Sequence, residues 1–228
     1  DSWNVSNVKY MQYLFRGASA FDQPLNNWNV IDVLDMSQMF YNALVFDQDL
    51  NNWNVSKVRN MTHLFSGALN FNGDITNWVT SSLTNLTYTF NQAKAFNRDL
   101  STWNTSSVTS MKGTFKNAWV FNQDLSNWNT SSVTTMEDMF REASAFNQDI
   151  GNWDVGNVTN MQQMFMGTAS FTININSWVV SSVTDMDGMF RGATLFNQPL
   201  NNWNVSSVVS MSNMFRDASA FDQPLDSW

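Results

Sequence analysis

The stretch Trp203–Gln223 reads WNVSSVVSMSNMFRDASAFDQ, and close copies of it follow one another along the whole chain. A self-similarity of fixed period is the sequence mark of a stacked-repeat protein, in which each unit contacts only its neighbours. The period is set by a tryptophan that returns every 25 residues without an insertion or deletion: Trp3, Trp28, Trp53, Trp78, Trp103, Trp128, Trp153, Trp178, Trp203 and Trp228. We therefore predict a single array over 1–228, made of the repeats 1–25, 26–50, 51–75, 76–100, 101–125, 126–150, 151–175, 176–200 and 201–225 with the stub 226–228.

Every repeat carries the same apolar frame, and all 18 phenylalanines fall in the two columns that begin at Phe15 and Phe21. The four frame positions from Val8 to Ala18 recur at helical spacing, which predicts a short helix with one apolar face. A serine precedes this stripe in most copies, where it suits a helix cap. After a corner, the alternation Trp28-Asn29-Val30 predicts a short strand. Asparagines aligned in the columns of Asn27 and Asn29 are expected to hydrogen-bond along the stack.

The phrase from Trp203 to Gln223, seen again with small changes from Trp128 to Gln148, resembles the repeat of BspA-like bacterial surface proteins and mycoplasma-type lipoproteins. The resemblance covers all nine repeats. It implies an α/β fold, a right-handed leucine-rich-repeat-like solenoid with a parallel strand ladder and short helical segments. It also implies surface exposure, adhesion and contact with host or other cells. The repeat departs from the usual form at Val79, at Val179 and at Thr172-Ile173-Asn174, where local changes are expected.

Composition excludes several classes of function. The net charge of −8 argues against a nucleic-acid partner and against binding to anionic lipid through a basic patch. No apolar stretch approaches the length of a membrane span. The chain has no cysteine and a single histidine, His63, which lies in a variable column expected at the surface. Without a nucleophile–base pair, a phosphate loop or a zinc motif, we predict neither an enzyme nor a required cofactor.

A column of aspartates is the best candidate for a metal site. One aspartate per repeat stands in five successive repeats: Asp49, Asp74, Asp99, Asp124 and Asp149. Stacked carboxylates repel one another, and a bound Ca²⁺ relieves that repulsion. The opposing interpretation is a solvated corner that needs no ion.

Two further sets of residues are candidate surface sites. Asn-x-Ser/Thr triplets offer glycan acceptors if the chain is secreted by a eukaryote, although the frame itself forces many of them. These acceptors are Asn4, Asn54, Asn60, Asn85, Asn104, Asn129, Asn157 and Asn204. An apolar patch on variable columns is a candidate contact surface, opposed by the ordinary occurrence of isolated exposed apolar residues. Its residues are Trp119, Val120, Leu44 and Val45.

The sequence thus favours a non-catalytic extracellular or cell-surface protein, and two roles compete. In the first, the chain is a segment of a surface fibre or stalk that assembles head-to-tail with other copies. The matching ends favour this role, because the first and ninth repeats both finish on Phe-Asp-Gln-Pro-Leu and the chain opens and closes on Asp-Ser-Trp. We expect it to be cut from a longer array or to continue into another copy. In the second role, variable outer columns bind a protein or glycan on another cell.

Overall fold

The computed structural model describes residues 3–228, so Asp1 and Ser2 of the predicted first repeat lie outside the described residues. Each repeat forms one coil, numbered here 1 to 9 after the repeats, and successive coils stack in register. A column of isolated parallel β-bridges joins equivalent residues of neighbouring coils. The bridged residues are Tyr10, Asp35, Asn60, Asn85, Ser110, Thr135, Asn160, Asp185 and Ser210.

The predicted secondary structure is wrong. Residues 3–228 contain no helix, and no strand longer than the single-residue bridges. The chain is therefore not an α/β, right-handed solenoid with a parallel strand ladder and short helical segments. The segment Trp28-Asn29-Val30, expected to be a strand, carries no bridge. No helix in this part of the chain is long and apolar enough to cross a bilayer.

Tight turns replace the predicted helix because two columns of residues adopt positive φ. In coil 1, Leu14, Arg16 and Ala18 each donate an N–H to the carbonyl three residues earlier, as in consecutive β-turns. Tyr13 and Gly17 occupy the third position of two of these turns, with φ of 64° and 71°. Every residue equivalent to them in coils 2 to 9 also has positive φ. A right-handed helix cannot include such residues, so the 3-4-3 spacing of apolar residues arises here from turns.

The backbone N–H groups in this segment that do not close a turn donate hydrogen bonds to carbonyls of the next coil. In coil 2 the N–H groups of Met36, Gln38, Phe40 and Asn42 donate to carbonyls of coil 3 at 2.8–3.1 Å. The same four positions donate in the same direction in every coil from 1 to 8. A helix would satisfy these groups within one repeat, whereas this backbone can satisfy them only with a neighbour.

The core is built from columns of stacked aromatic rings. Within each coil the two phenylalanine rings lie 3.8–4.2 Å apart between centroids. Between coils, rings of the Phe15 column lie 5.5–5.8 Å apart. Most indoles are buried, and the Nε1 of Trp53 and Trp78 donates to a carbonyl 28 residues earlier at 2.9 Å. The predicted burial of the apolar frame is confirmed in coils 2 to 8 except at Trp28, which is half-buried.

Threonines that replace apolar frame residues keep their hydroxyls hydrogen-bonded. Thr89 and Thr114 are fully buried in the Leu14 column, and each hydroxyl lies 2.9–3.1 Å from two backbone carbonyls, either of which can accept its one proton. Thr168, in the Ala18 column, donates to the Phe140 carbonyl at 2.8 Å. A buried hydroxyl without a partner would be costly. Each of these carbonyls already accepts one backbone N–H and has a second lone pair for the hydroxyl, which explains how threonine is accommodated in the core.

Candidate functional site

The predicted calcium ligands form a row of turn caps. Asp74, Asp99, Asp124 and Asp149 each accept the N–H two residues later at 2.8–3.0 Å, and Asp49 accepts the N–H of Asp74. At Asp124 the N–H and then the hydroxyl of Ser126 favour the ionised carboxylate and lower its pKa. Across residues 3–228 no group of three or more acidic, histidine or cysteine side chains is placed to hold a metal ion. Calcium stays a prediction, and an unchanged melting temperature on chelation would retire it.

Asparagine oxygens link neighbouring coils, but in columns other than the predicted ones. In the column of Asp22, the side-chain oxygen accepts the N–H of the equivalent residue in the next coil, as from Asn122 to Asn147 at 2.9 Å. This ladder runs from Asp22 as far as Thr172, which has neither a carboxylate nor an amide oxygen to extend it. Asparagines in the Asn29 column instead accept an N–H within their own coil, as Asn54 does from Ser56. The amide ladder predicted for the Asn29 column is therefore wrong, whereas in the Asn27 column the amide of Asn152 donates to the Ser126 carbonyl of the preceding coil at 2.8 Å.

An open polar recess of 780 Å³ lies where the repeat departs from its pattern. It is lined by Thr172, Ile173 and Asn174 together with Gly151 and Gln198. Thr172 ends the side-chain ladder at this point, and Gly151 offers no side chain to fill the space. The departure seen in the sequence thus appears as a change of surface shape and leaves the stack of coils intact.

Six of the eight candidate glycan acceptors are exposed: Asn4, Asn54, Asn104, Asn129, Asn157 and Asn204. Asn60 and Asn85 are half-buried in the bridge column, and the amide nitrogen of Asn60 donates to Asp35 at 3.1 Å. Glycosylation stays a prediction, with Asn60 and Asn85 the least accessible acceptors. Intact-mass measurement tests it.

The predicted contact residues lie in two adjacent columns on coils 2 to 5. One column holds Leu44, Leu69, Lys94 and Trp119 in successive coils, and we call these four residues the apolar strip. The Lys94 ammonium lies 3.8 Å from the centroid of the Trp119 ring, a cation–π contact. Trp119 remains 48% exposed, and Val120, Leu44 and Val45 beside it are also exposed. The structure therefore places the four predicted residues in two columns of the stack, as one pair in coil 2 and a second pair in coil 5.

A second face, missed by the sequence analysis, joins aromatic rings and cations across coils 1 to 4. The Arg16 guanidinium lies 5.1 Å from the Tyr41 ring centroid, and Tyr41 meets His63 edge-on at 5.7 Å. The His63 imidazole then stacks on Tyr88 at 4.9 Å. His63 was expected to be an ordinary surface residue, but it is half-buried and its Nδ1 is a buried atom without a partner among the described residues. The signal available in the sequence was the concentration of aromatic residues in the columns of Tyr13 and Arg16.

His63 should make stability depend on pH as the pH falls from about 7 through the ordinary histidine pKa of about 6.5. Burial lowers the pKa of His63 below its ordinary value of about 6.5, and the charge of Arg16 lowers it further. As pH falls below about 6.5, the unfolded chain binds a proton more readily than the folded chain, so the free energy of unfolding should decrease until the folded pKa is passed. Urea unfolding across this range measures the effect. His63→Gln should remove it, because the chain has no other histidine and Gln38 and Gln163 already adopt the same positive φ. An unchanged pH dependence in that variant would contradict the assignment.

The two ends of the stack expose apolar surfaces that are buried in the middle. Trp3 is 65% exposed and Leu14 is 41% exposed, whereas their counterparts Trp203 and Leu64 are 2% and 0% exposed. With Phe15 and Phe21 these residues form what we call the first-coil face, which contains a recess of 260 Å³. At the other end, Val205, Met211, Phe215, Phe221 and Leu225 are half-buried, and we call them the last-coil face. Interior coils bury equivalent residues against a neighbour.

Comparison with known proteins identifies the family but no individual relative. No curated protein and no solved structure matches the chain. One family model, described as a Mycoplasma protein of unknown function, matches three overlapping segments, 1–78, 65–172 and 145–228. The overlapping matches confirm a tandem repeat of mycoplasma type, and the family description names no catalytic activity. Since these segments together span the whole sequence, the chain belongs to the family described as Mycoplasma protein of unknown function, DUF285.

Proposed function

We propose that the chain is a non-catalytic structural element of the cell surface, a segment of a stalk or fibre similar in role to BspA-like surface proteins. The observation that carries this proposal is the repetition of one coil-to-coil contact. The same four N–H groups and the same two phenylalanine columns join every neighbouring pair of coils. A body of this kind gains length by adding coils and needs no change in its contacts.

The lateral surface supports a spacer more than a reaction site. Only 13% of the residues are charged, and five ion pairs occur within residues 3–228. Polar side chains instead hydrogen-bond to the backbone of a neighbouring coil, as Ser132 does to Ser106 at 2.8 Å. Hydrogen bonds between neutral groups are screened little by salt, whereas exposed ion pairs are screened. Such a surface suits an extracellular element that meets varied ionic conditions.

Labelling of intact cells that produce the protein tests this role. An antibody raised against the folded chain should bind without permeabilisation, and deletion of the gene should thin the surface layer seen by electron microscopy. Re-expression of a Trp119→Ser variant should restore that layer, because a structural role does not need the apolar strip. Labelling that appears only after permeabilisation would contradict the proposal.

A second candidate function is adhesion through the apolar strip to a protein or glycan on another cell. The observation that favours it is the exposed Trp119 ring with the Lys94 ammonium over it. Exposed aromatic rings beside cations are common anchors in recognition surfaces. In this role Trp119→Ser should abolish attachment to target cells. Leu195→Ser is the matched control, because Leu195 is 57% exposed and lies in coil 8. If both variants attach to target cells as well as the unaltered chain does, adhesion through this strip is excluded.

A further inference from the structure

We propose that one edge of the stack binds a neutral polysaccharide that lies along several coils. The edge is formed by the first, second, fourth and sixth residues of each repeat, and we call it the polar edge. This inference goes beyond the proposed structural role, which requires no ligand. The polar edge shares no residue with the apolar strip, so the two surfaces can be tested separately.

The polar edge carries almost no charge. From coil 2 to coil 9 its four columns hold asparagine, serine, threonine, glycine, two valines, one isoleucine and a single charged residue, Asp154. A nucleic acid, an acidic glycan or a highly charged protein surface would find no row of opposite charges there. The hydroxyl groups of a neutral sugar need hydrogen-bonding partners, which amides and hydroxyls supply. The composition therefore favours an uncharged ligand that is rich in hydroxyl groups.

The asparagines of the fourth column are oriented by their own coils. The side-chain oxygens of Asn54, Asn104 and Asn204 each accept the N–H of the serine two residues later at 3.0–3.1 Å. All three side chains are exposed, and none of their Nδ2 groups donates to a described residue. Because the oxygen is already bonded, each amide offers a donor whose orientation is fixed before a ligand arrives. Such preorganised groups lose less conformational entropy on binding.

Recesses lie along this edge in two pairs. A recess of 440 Å³ and another of 330 Å³ share the lining residues Asn77 and Val79, around coil 4. Around coil 8, Val179 lines a recess of 180 Å³. This third recess shares Asn176 and Ser177 with the polar recess of 780 Å³ described above. The polar edge thus offers two concave regions of similar chemistry on the same side of the stack.

A valine stands in each concave region. Val79 and Val179 occupy the fourth column, where asparagine is usual, and they are 58% and 62% exposed. The C–H groups of a sugar ring form an apolar face that packs on such side chains while the ring hydroxyls reach polar neighbours. The two valines are four coils apart, roughly 19 Å at a strand spacing of about 4.8 Å. One sugar cannot contact both, whereas an extended chain such as a β-1,4-linked glucan can.

Native gel electrophoresis with a soluble polysaccharide in the gel tests the class of ligand. Hydroxyethyl cellulose is neutral and extended, and carboxymethyl cellulose has the same backbone with added carboxylates. The neutral polymer should retard the chain, and the acidic polymer should not, because the chain has a net charge of −8. Cellobiose is too short to contact both valines and should compete only weakly. Absence of retardation by hydroxyethyl cellulose, or equal retardation by both polymers, would overturn the inference.

Replacing both valines with asparagine tests the site. Val79→Asn combined with Val179→Asn should weaken binding to hydroxyethyl cellulose by roughly tenfold, because two apolar contacts with the sugar chain are lost. Both changes restore the usual residue of the column, so the fold should be retained, as thermal unfolding would verify. Unchanged binding by the double variant would contradict the assignment of the site.

Val209→Thr is the matched control. Val209 is 88% exposed and lines none of the four recesses, and threonine fills its column in coils 4 to 8. This variant should bind hydroxyethyl cellulose as the unaltered chain does. An equal loss of binding in Val209→Thr and in the double variant would show that the polymer contacts exposed valines without regard to the polar edge, and would overturn the inference.

A covalently attached glycan is the other source of sugar at this edge, because Asn54, Asn104 and Asn204 are also candidate acceptors. Protein made in a bacterium without N-glycosylation, with its intact mass verified, separates the two sources. Retardation of this unmodified protein reports a bound polymer, and retardation only of glycosylated protein would overturn the inference. Neither result bears on the proposed surface role, which is decided by labelling of intact cells.

Discussion

Replacing Phe115 with alanine should lower the free energy of unfolding by about 3–5 kcal/mol, the usual range for a buried phenylalanine. Phe115 is fully buried in coil 5, with ring centroids of Phe90, Phe121 and Phe140 at 5.6, 3.9 and 5.7 Å. The cavity would open between coils on both sides. Because the stack is held together by contacts between coils close in sequence, this loss should also weaken the coupling between the two halves of the stack.

Phe215→Ala is the matched control. Phe215 occupies the same column in coil 9, where it is half-buried and stacks on Phe190 at 5.7 Å with no further coil after it among residues 3–228. We expect roughly half the effect, since only one neighbouring coil loses contacts. Urea unfolding followed by circular dichroism measures both variants. A reduced slope in Phe115→Ala alone would report separate unfolding of the two halves. Equal losses in the two variants would contradict the description of a stack held together by contacts between neighbours.

Replacing Asn117 with proline should destabilise the chain by about 3 kcal/mol or more. Asn117 has a φ of 57°, and its N–H donates to the Arg141 carbonyl of the next coil at 2.7 Å. Proline fixes φ near −65° and has no N–H, so the substitution removes both the turn and one of the four bonds between coils 5 and 6. Thermal unfolding measures the loss.

Two controls in the same coil separate the causes. Asp124→Pro should cost less than about 1 kcal/mol, because Pro24, Pro199 and Pro224 stand in that column and only the cap on Ser126 is lost. Asn117→Gly should stabilise the chain by up to about 1 kcal/mol, since glycine adopts positive φ without the strain that other residues suffer. A destabilising Asn117→Gly would show that the side chain matters more than the backbone at this position.

The sequence predicts the content of the core better than the path of the backbone. The columns of Phe15, Phe21 and Trp28 were assigned to the interior because they admit no other residue, and these columns are buried through the middle of the stack. The helix was inferred from apolar spacing alone. That spacing fixes which side chains point inward but does not distinguish a helix from a series of tight turns.

The information that would have excluded the helix lies in a polar column. Gly17, Gly67, Gly167 and Gly192 share the column with Asn42 and Asn117, and glycine and asparagine are the residues that most readily adopt positive φ. Two such columns four residues apart break a helix in every repeat. The hydrogen bonds between coils could not be predicted either, because the direction in which each backbone N–H points depends on these turns and not on the apolar residues of the repeat.

The column of indoles has a spectroscopic consequence. Neighbouring rings such as Trp153 and Trp178 are parallel within 4° at a centroid distance of 6.5 Å. At that separation, light energy absorbed by one indole passes readily to the next. Fluorescence from this chain is therefore a property of the whole column. A single quencher placed on one coil should dim the signal of several others, so intrinsic fluorescence reports how many neighbouring coils remain joined.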